Sequence, residues 1–62
     1  MQAIYLTVPE AAKYTGISTS YLAKLRMGTL AQKGPQYIRI GSRAIRYRKE
    51  DLDAWMMARL TG

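Results

Sequence analysis

Polar and apolar positions alternate with a helical period near the start of the chain. Val8, Ala11, Ala12 and Thr15 fall on one face, with Lys13 opposite. The flanking residues define the ends of this helix. Thr7 is a good N-cap, and Glu10 three residues later completes a capping box. Pro9 sits in the first turn, where its missing N–H removes no bond. Leu6 and Ala11 occupy the positions of a hydrophobic staple, and Gly16 stops the helix after about two turns. The pattern restarts at once: Ser18 is the next N-cap, with Ile17 and Leu22 as its staple. Leu22 and Leu25 form a narrow buried edge, leaving Thr19, Ser20, Ala23 and Lys24 to solvent. Two short helices joined by a tight glycine-containing turn, Thr15-Gly16-Ile17, are the mark of a helix-turn-helix with its second helix facing outward.

Residues 28–36 hold two glycines and a proline and predict a loop. The period then changes to two. Tyr37-Ile38-Arg39-Ile40 and Ala44-Ile45-Arg46-Tyr47 flank Gly41-Ser42-Arg43, a connection of hairpin length. Ile38 and Ile40 are expected to share the inner face with Ile45 and Tyr47, and Arg39, Arg46 and Arg48 to point outward. A two-stranded hairpin is unstable alone and must lie on the helices. A third helix follows. Glu50 and Asp51 suit its positive end, Leu52, Trp55, Met56 and Leu60 recur at helical spacing, and Arg59 falls in its last turn. Leu52 and Trp55 are expected to be the central plug, with Met27, Met56 and Met57 filling gaps. The expected architecture is α+β, mainly α: three short helices and a two-stranded β-hairpin wing over residues 7–60, preceded by an N-terminal arm or short strand in residues 1–6.

Composition narrows the function. With 62 residues and 48% hydrophobic content, the chain makes one small domain with a marginal core. It has no cysteine and no histidine, so disulfides, thiolate nucleophiles and the commonest metal ligand and general base are absent. No serine has a base to activate it, and no phosphate-loop or dinucleotide pattern occurs. No cofactor, metal or enzymatic role is expected. The longest apolar run, Ala54 to Ala58, is far too short to span a membrane, and Met1 to Leu6 does not read as a signal peptide. A cytoplasmic protein without a membrane partner is expected.

Ten Lys+Arg against four Asp+Glu give a charge of +6, which calls for an anionic partner. Five of these cations, Arg39, Arg43, Arg46, Arg48 and Lys49, fall in residues 38–49 without an intervening acid. Four are arginines, whose fork suits phosphate oxygens and guanine edges. Solvated edge strands also carry charge, but they commonly use lysine and tolerate acids. Thr19, Ser20, Tyr21 and Lys24 lie in the first two turns of the second helix, where a helix-turn-helix approaches base edges, although Thr and Ser also occur in any exposed first turn. Lys13, Lys24, Arg26 and Lys33 read as phosphate contacts or plain surface rather than as sequence readers, and Tyr14 and Tyr21 as core or interface.

In this order the motifs resemble the AlpA-like and excisionase-like winged helix-turn-helix proteins of phages and mobile elements, distant relatives of the MerR DNA-binding head. Leu6-Thr7-Val8-Pro9-Glu10-Ala11-Ala12 resembles the family's first helix, and Thr15-Gly16-Ile17-Ser18 its turn. Gly34-Pro35 and Tyr37-Ile38-Arg39-Ile40-Gly41-Ser42-Arg43 resemble the approach to the wing and its tip. Arg46-Tyr47-Arg48-Lys49-Glu50-Asp51-Leu52-Asp53-Ala54-Trp55 is similar to the closing stretch and is the most specific part. The likeness covers residues 5 to 60. It implies sequence-specific binding of double-stranded DNA, with the second helix in the major groove and the wing on the neighbouring minor groove or backbone. The expected contacts are Ser18, Thr19, Ser20, Tyr21, Lys24 and Arg26 from the helix, and Arg39, Ser42, Arg43, Arg46 and Arg48 from the wing. The family often has arginines after the N-cap serine, where this chain has Thr19 and Ser20, so more of the anchoring falls to the wing. Family members bend attachment-site DNA to direct an integrase, or regulate transcription. The resemblance thus implies an integrase or recombinase partner and tandem self-association on DNA. No effector domain follows the third helix, so no small-molecule effector is expected. A basic module docking an acidic protein is the alternative from another class. RNA binding ranks below both, because no stacking aromatics appear on a sheet face.

Overall fold

A computed structural model describes residues 4–59. The elements are β1 (Tyr5–Leu6), α1 (Val8–Thr15), α2 (Thr19–Met27), β2 (Ile38–Ile40), β3 (Ala44–Arg48) and α3 (Lys49–Met57). This is the expected winged helix-turn-helix, with one strand added. The sheet is antiparallel, in the order β1-β3-β2, so the wing is three-stranded at its root. β1 pairs Tyr5 with Arg48 and Leu6 with Tyr47, and the Lys49 N–H donates to the Ile4 carbonyl at 2.9 Å. A strand occupies residues 5–6, and residues 1–3 of the expected N-terminal segment and Leu60 of the expected third helix lie outside the described residues.

Local chemistry sets the helix ends. Thr7 accepts from the Glu10 N–H at 3.3 Å, and the Glu10 carboxylate accepts from the Thr7 N–H at 2.8 Å, closing the capping box. Gly16 follows with φ 77°, a left-handed conformation that a side chain rarely tolerates, and its N–H donates to the Ala12 carbonyl at 2.8 Å. Ser18 then caps α2, accepting from the Tyr21 N–H at 3.1 Å. α1 is the hub, packing against α2, α3 and β3. The buried cluster is Ala11, Leu22, Leu25, Tyr47 and Leu52, with Leu6, Val8, Ile17, Ile45 and Trp55 packed around it.

Three expectations about packing are corrected. The first concerns the faces of the hairpin. The three-residue turn pairs Ile40 with Ala44, Arg39 with Ile45 and Ile38 with Arg46. Directly opposed residues of an antiparallel pair share a face, so Ile38 and Ile40 lie with Arg46 and Arg48 on the outer face. Arg39 shares the other face with Ile45 and Tyr47. The expected pairing differs by one residue, and a one-residue slip exchanges the faces. Ile40 is accordingly 56% exposed.

The second correction concerns the plug. Leu52 is fully buried, but the largest side chain at the centre is Tyr47, at 0% exposure. Trp55 is half-buried at the rim because its indole N–H must find an acceptor, which it does at the Lys33 carbonyl, 2.9 Å away. Arg59 covers the indole face at 4.4 Å and donates to the same carbonyl at 2.8 Å, tying the long loop to α3. The third concerns the methionines. Met27 and Met57 are 73% and 65% exposed, because each stands in the last turn of its helix beyond the end of the core. Met56 is half-buried, and Ala23 is half-buried too rather than in solvent.

Gly34 explains how the loop returns across α2. A Cβ there would lie 2.6 Å from the Leu25 Cβ, closer than atoms can approach. Only glycine lets the backbone pass this near the buried edge of the helix.

Candidate nucleic-acid interface

The second helix is presented as a helix-turn-helix requires. Leu22 and Leu25 hold one edge in the core, and Ser18, Thr19, Ser20 and Lys24 are exposed on the other side. The Ser18 hydroxyl is engaged as the cap. Tyr21 is half-buried against the core, and its hydroxyl accepts from Gln32 Nε2 at 2.6 Å. Arg26, in the last turn, reaches back toward the sheet and donates from Nη1 to the Tyr47 hydroxyl at 2.7 Å.

On the hairpin, the arginines have separate fates. Gly41, with φ 65°, makes the tight turn, and Ser42 and Arg43 stand exposed at the tip. Arg39 is exposed on β2. Arg46 is half-buried and donates to the Ile45 carbonyl at 2.8 Å. Arg48 grips Asp51 with two parallel hydrogen bonds, at 2.7 and 2.9 Å, and also reaches Glu50 at 3.1 Å. Lys49 pairs with Asp53 at 3.1 Å and lies over the Tyr14 ring at 5.2 Å. The Tyr14 hydroxyl donates to the other oxygen of Asp53, joining α1 to α3.

These contacts account for the shifted ionisations. The Glu10 carboxyl is held below its ordinary value by the hydrogen bond from the Thr7 backbone, then by the Thr7 hydroxyl, with the nearby Arg46 charge adding. The Asp53 carboxyl is lowered by the Tyr14 hydroxyl first and Lys49 second. Lys49 is raised by Tyr14 and then Asp53, and Arg48 by its bonds to Asp51.

All four carboxylates of the chain are thus occupied by a cap or at the β3–α3 junction. Among the described residues, ion pairs involve only Arg48 and Lys49, and Lys13, Lys24, Arg39, Arg43 and Arg46 have no carboxylate partner within 4 Å. The pairing of Arg48 and Lys49 was readable from their spacings to Asp51 (i,i+3) and Asp53 (i,i+4). The Arg26–Tyr47 contact had no such local signal. No cluster of metal-ligating side chains occurs among the described residues, and no helix there is long and apolar enough to cross a membrane.

A short two-helix unit with a glycine turn, an exposed second helix and a basic hairpin defines a DNA-binding helix-turn-helix domain. The comparison with known families agrees: the profile of a family described as a helix-turn-helix domain matches residues 5–60. The chain belongs to this family, which is typified by AlpA-like and excisionase-like DNA-binding proteins. No curated protein and no solved structure matches the chain.

Proposed function

We propose that the protein is a sequence-specific, excisionase-type binder of double-stranded DNA. The exposed side of α2 enters the major groove, where Thr19, Ser20 and Lys24 read the site, with Ser18 at its N-cap and Tyr21 at its edge. The hairpin carries Arg39, Ser42, Arg43 and Arg46 to the flanking backbone or minor groove. Several copies bind adjacent sites and bend the duplex, directing an integrase at an attachment site in the cytoplasm. The observation that carries this reading is the division of charge. The Asp and Glu carboxylates are confined to a cap and the β3–α3 junction, while among the described residues the cations of α2 and the wing tip have no acidic partner.

A mobility-shift titration against salt, on duplex carrying the attachment or promoter region of the host element, tests it. With about four to six phosphates neutralised, log K against log salt should slope about −4 to −5. Replacing Arg43 and Arg46 by alanine should make that slope shallower by about two and weaken binding to all sequences. Replacing Thr19, Ser20 and Lys24 should instead relax sequence preference. A flat salt response, or equal binding to random duplex, would overturn the proposal. Integrase-dependent excision with and without the protein distinguishes the recombination role from transcriptional control alone.

A further inference from the structure

The backbone of α2 packs closely against α1, and no comparably close packing joins it to either strand of the hairpin. A hydrogen-bonded link between them is nonetheless present. Arg26 leaves the last turn of α2, and its guanidinium lies 6.0 Å from the ring centres of both Tyr37 and Tyr47. The two rings are 6.2 Å apart and tilted by 54°, so the cation faces both at once. Its Nη1 donates to the Tyr47 hydroxyl at 2.7 Å. Tyr37 immediately precedes β2, and Tyr47 lies near the end of β3. Arg26 therefore touches both roots of the hairpin from the helix that the hairpin must be set against.

No carboxylate pairs with Arg26 among the described residues. Its fork is directed at a phenol and two aromatic faces, and the phenol it serves belongs to a fully buried residue whose hydroxyl requires a partner. A lysine would supply the charge but not the flat group that meets two rings while donating to one.

We infer that Arg26 is a positioning residue, which fixes the angle between the recognition helix and the wing. The inference rests on the reading above that α2 and the hairpin meet one duplex together. Two contact surfaces held at a set angle bind more tightly than the same surfaces moving independently, because the second contact is then made at high effective concentration. Arg26 thereby contributes to affinity without neutralising a phosphate.

The test has one arm without DNA and one with it. The chain has no cysteine, so Ser20→Cys and Ser42→Cys allow spin labels at the recognition helix and the wing tip alone. In the free protein the distance distribution between them should be narrow, and Arg26→Met or Tyr47→Phe should broaden it. On DNA, in otherwise unlabelled protein, each substitution should lower affinity about tenfold and leave the salt slope unchanged. The double variant should be no weaker than either single one, because both break the same link. Hydroxyl-radical footprints should lose protection under the wing and keep it under the helix. Tyr47→Phe deletes one oxygen, and its thermal melt confirms that the fold persists. Unchanged distance distributions in both variants would overturn the inference. So would a salt slope shallower by about one in Arg26→Met together with wild-type binding by Tyr47→Phe, since Arg26 would then be an ordinary phosphate contact. Wild-type protein that shows the narrow distribution but no DNA affinity would overturn the functional reading and leave the clamp as a structural fact only.

Discussion

Residues 39–46 and residues 48–53 are both rich in charge and adjoin in the chain, yet they end in opposite electrostatic states. In the first, Arg39, Arg43 and Arg46 have no carboxylate within ion-pairing distance among the described residues. In the second, Arg48 and Lys49 are matched by Glu50, Asp51 and Asp53. The difference comes from secondary structure. The junction passes from strand to helix, and the helical repeat returns Asp51 to Arg48 and Asp53 to Lys49. The hairpin has no such repeat and no acids, so its cations stay open to an outside partner. Counting cations along a sequence therefore overstates the surface that is available to nucleic acid.

The substitution expected to matter most acts on shape alone. Gly34→Ala would force a Cβ to within 2.6 Å of the Leu25 Cβ and displace the buried edge of α2. Overpacking of this kind costs about 1–3 kcal/mol, and thermal unfolding should register it as a clear fall in Tm. DNA affinity should fall with it while the salt slope is kept, which separates lost geometry from lost charge on the reading side. A smaller effect is expected from Asp51→Asn, which removes the two-pronged acceptor of Arg48. Because Arg48 is partly solvated and keeps Glu50 as a partner, Tm should drop only slightly. The salt slope should not change, since Arg48 keeps Glu50 and is placed at the junction rather than the tip. A slope steeper by about one would show instead that Arg48 reaches the duplex once released, and the contrast between the two regions would fail.

The smallest effect is the response to acid. Glu10 and Asp53 have lowered pKa values in the folded protein, so each contributes stability that is present above the ordinary carboxylate range, about 4. That contribution is lost as pH falls through their folded values. Lys49 is raised, so its contribution is present below the ordinary lysine value, about 10.4, and is lost as pH rises through its folded value. Melting temperature followed against pH should be level in the neutral range and decline at both ends. Tyr14→Phe removes the first cause of the shift at both Asp53 and Lys49. It should make both declines shallower and leave the contribution of Glu10 at the acid end in place.

The local devices of the fold were legible because they depend on near neighbours. The Thr7–Glu10 box, the Ser18 cap, the glycine after each of the first two helices and the Leu22–Leu25 edge are all contained within a few residues. What was not legible depends on pairing across distance. With Gly41-Ser42-Arg43 as the connection, Ile40 lies directly opposite Ala44, which sets Ile38 and Ile40 beside Arg46 rather than beside Ile45 and Tyr47. The rim position of Trp55 depends on the Lys33 carbonyl, and the central place of Tyr47 on Leu6 and Arg26, none of them near in sequence. On the candidate interface, the tip residues Ser42 and Arg43 and the exposed Thr19, Ser20 and Lys24 stand where the pattern placed them. Tyr21, Arg26 and Arg48 bond within the molecule, to Gln32, Tyr47 and Asp51, and of these only the Arg48–Asp51 pair carries a local spacing signal.

The pairing of β1 with β3 has a consequence for how the chain is assembled. Tyr5 and Leu6 are hydrogen-bonded to a strand near the opposite end of the described residues, and Tyr47 on that strand is also the centre of the core. During synthesis, α1 can close its capping box while still near the ribosome, because every atom involved is local. The sheet cannot close until β3 has emerged, and long-range pairing of this kind is the slow step in a small domain. Until then Leu6, Ala11 and Leu22 lack the tyrosine they pack against, so the nascent helix-turn-helix waits for its wing before it acquires a stable core.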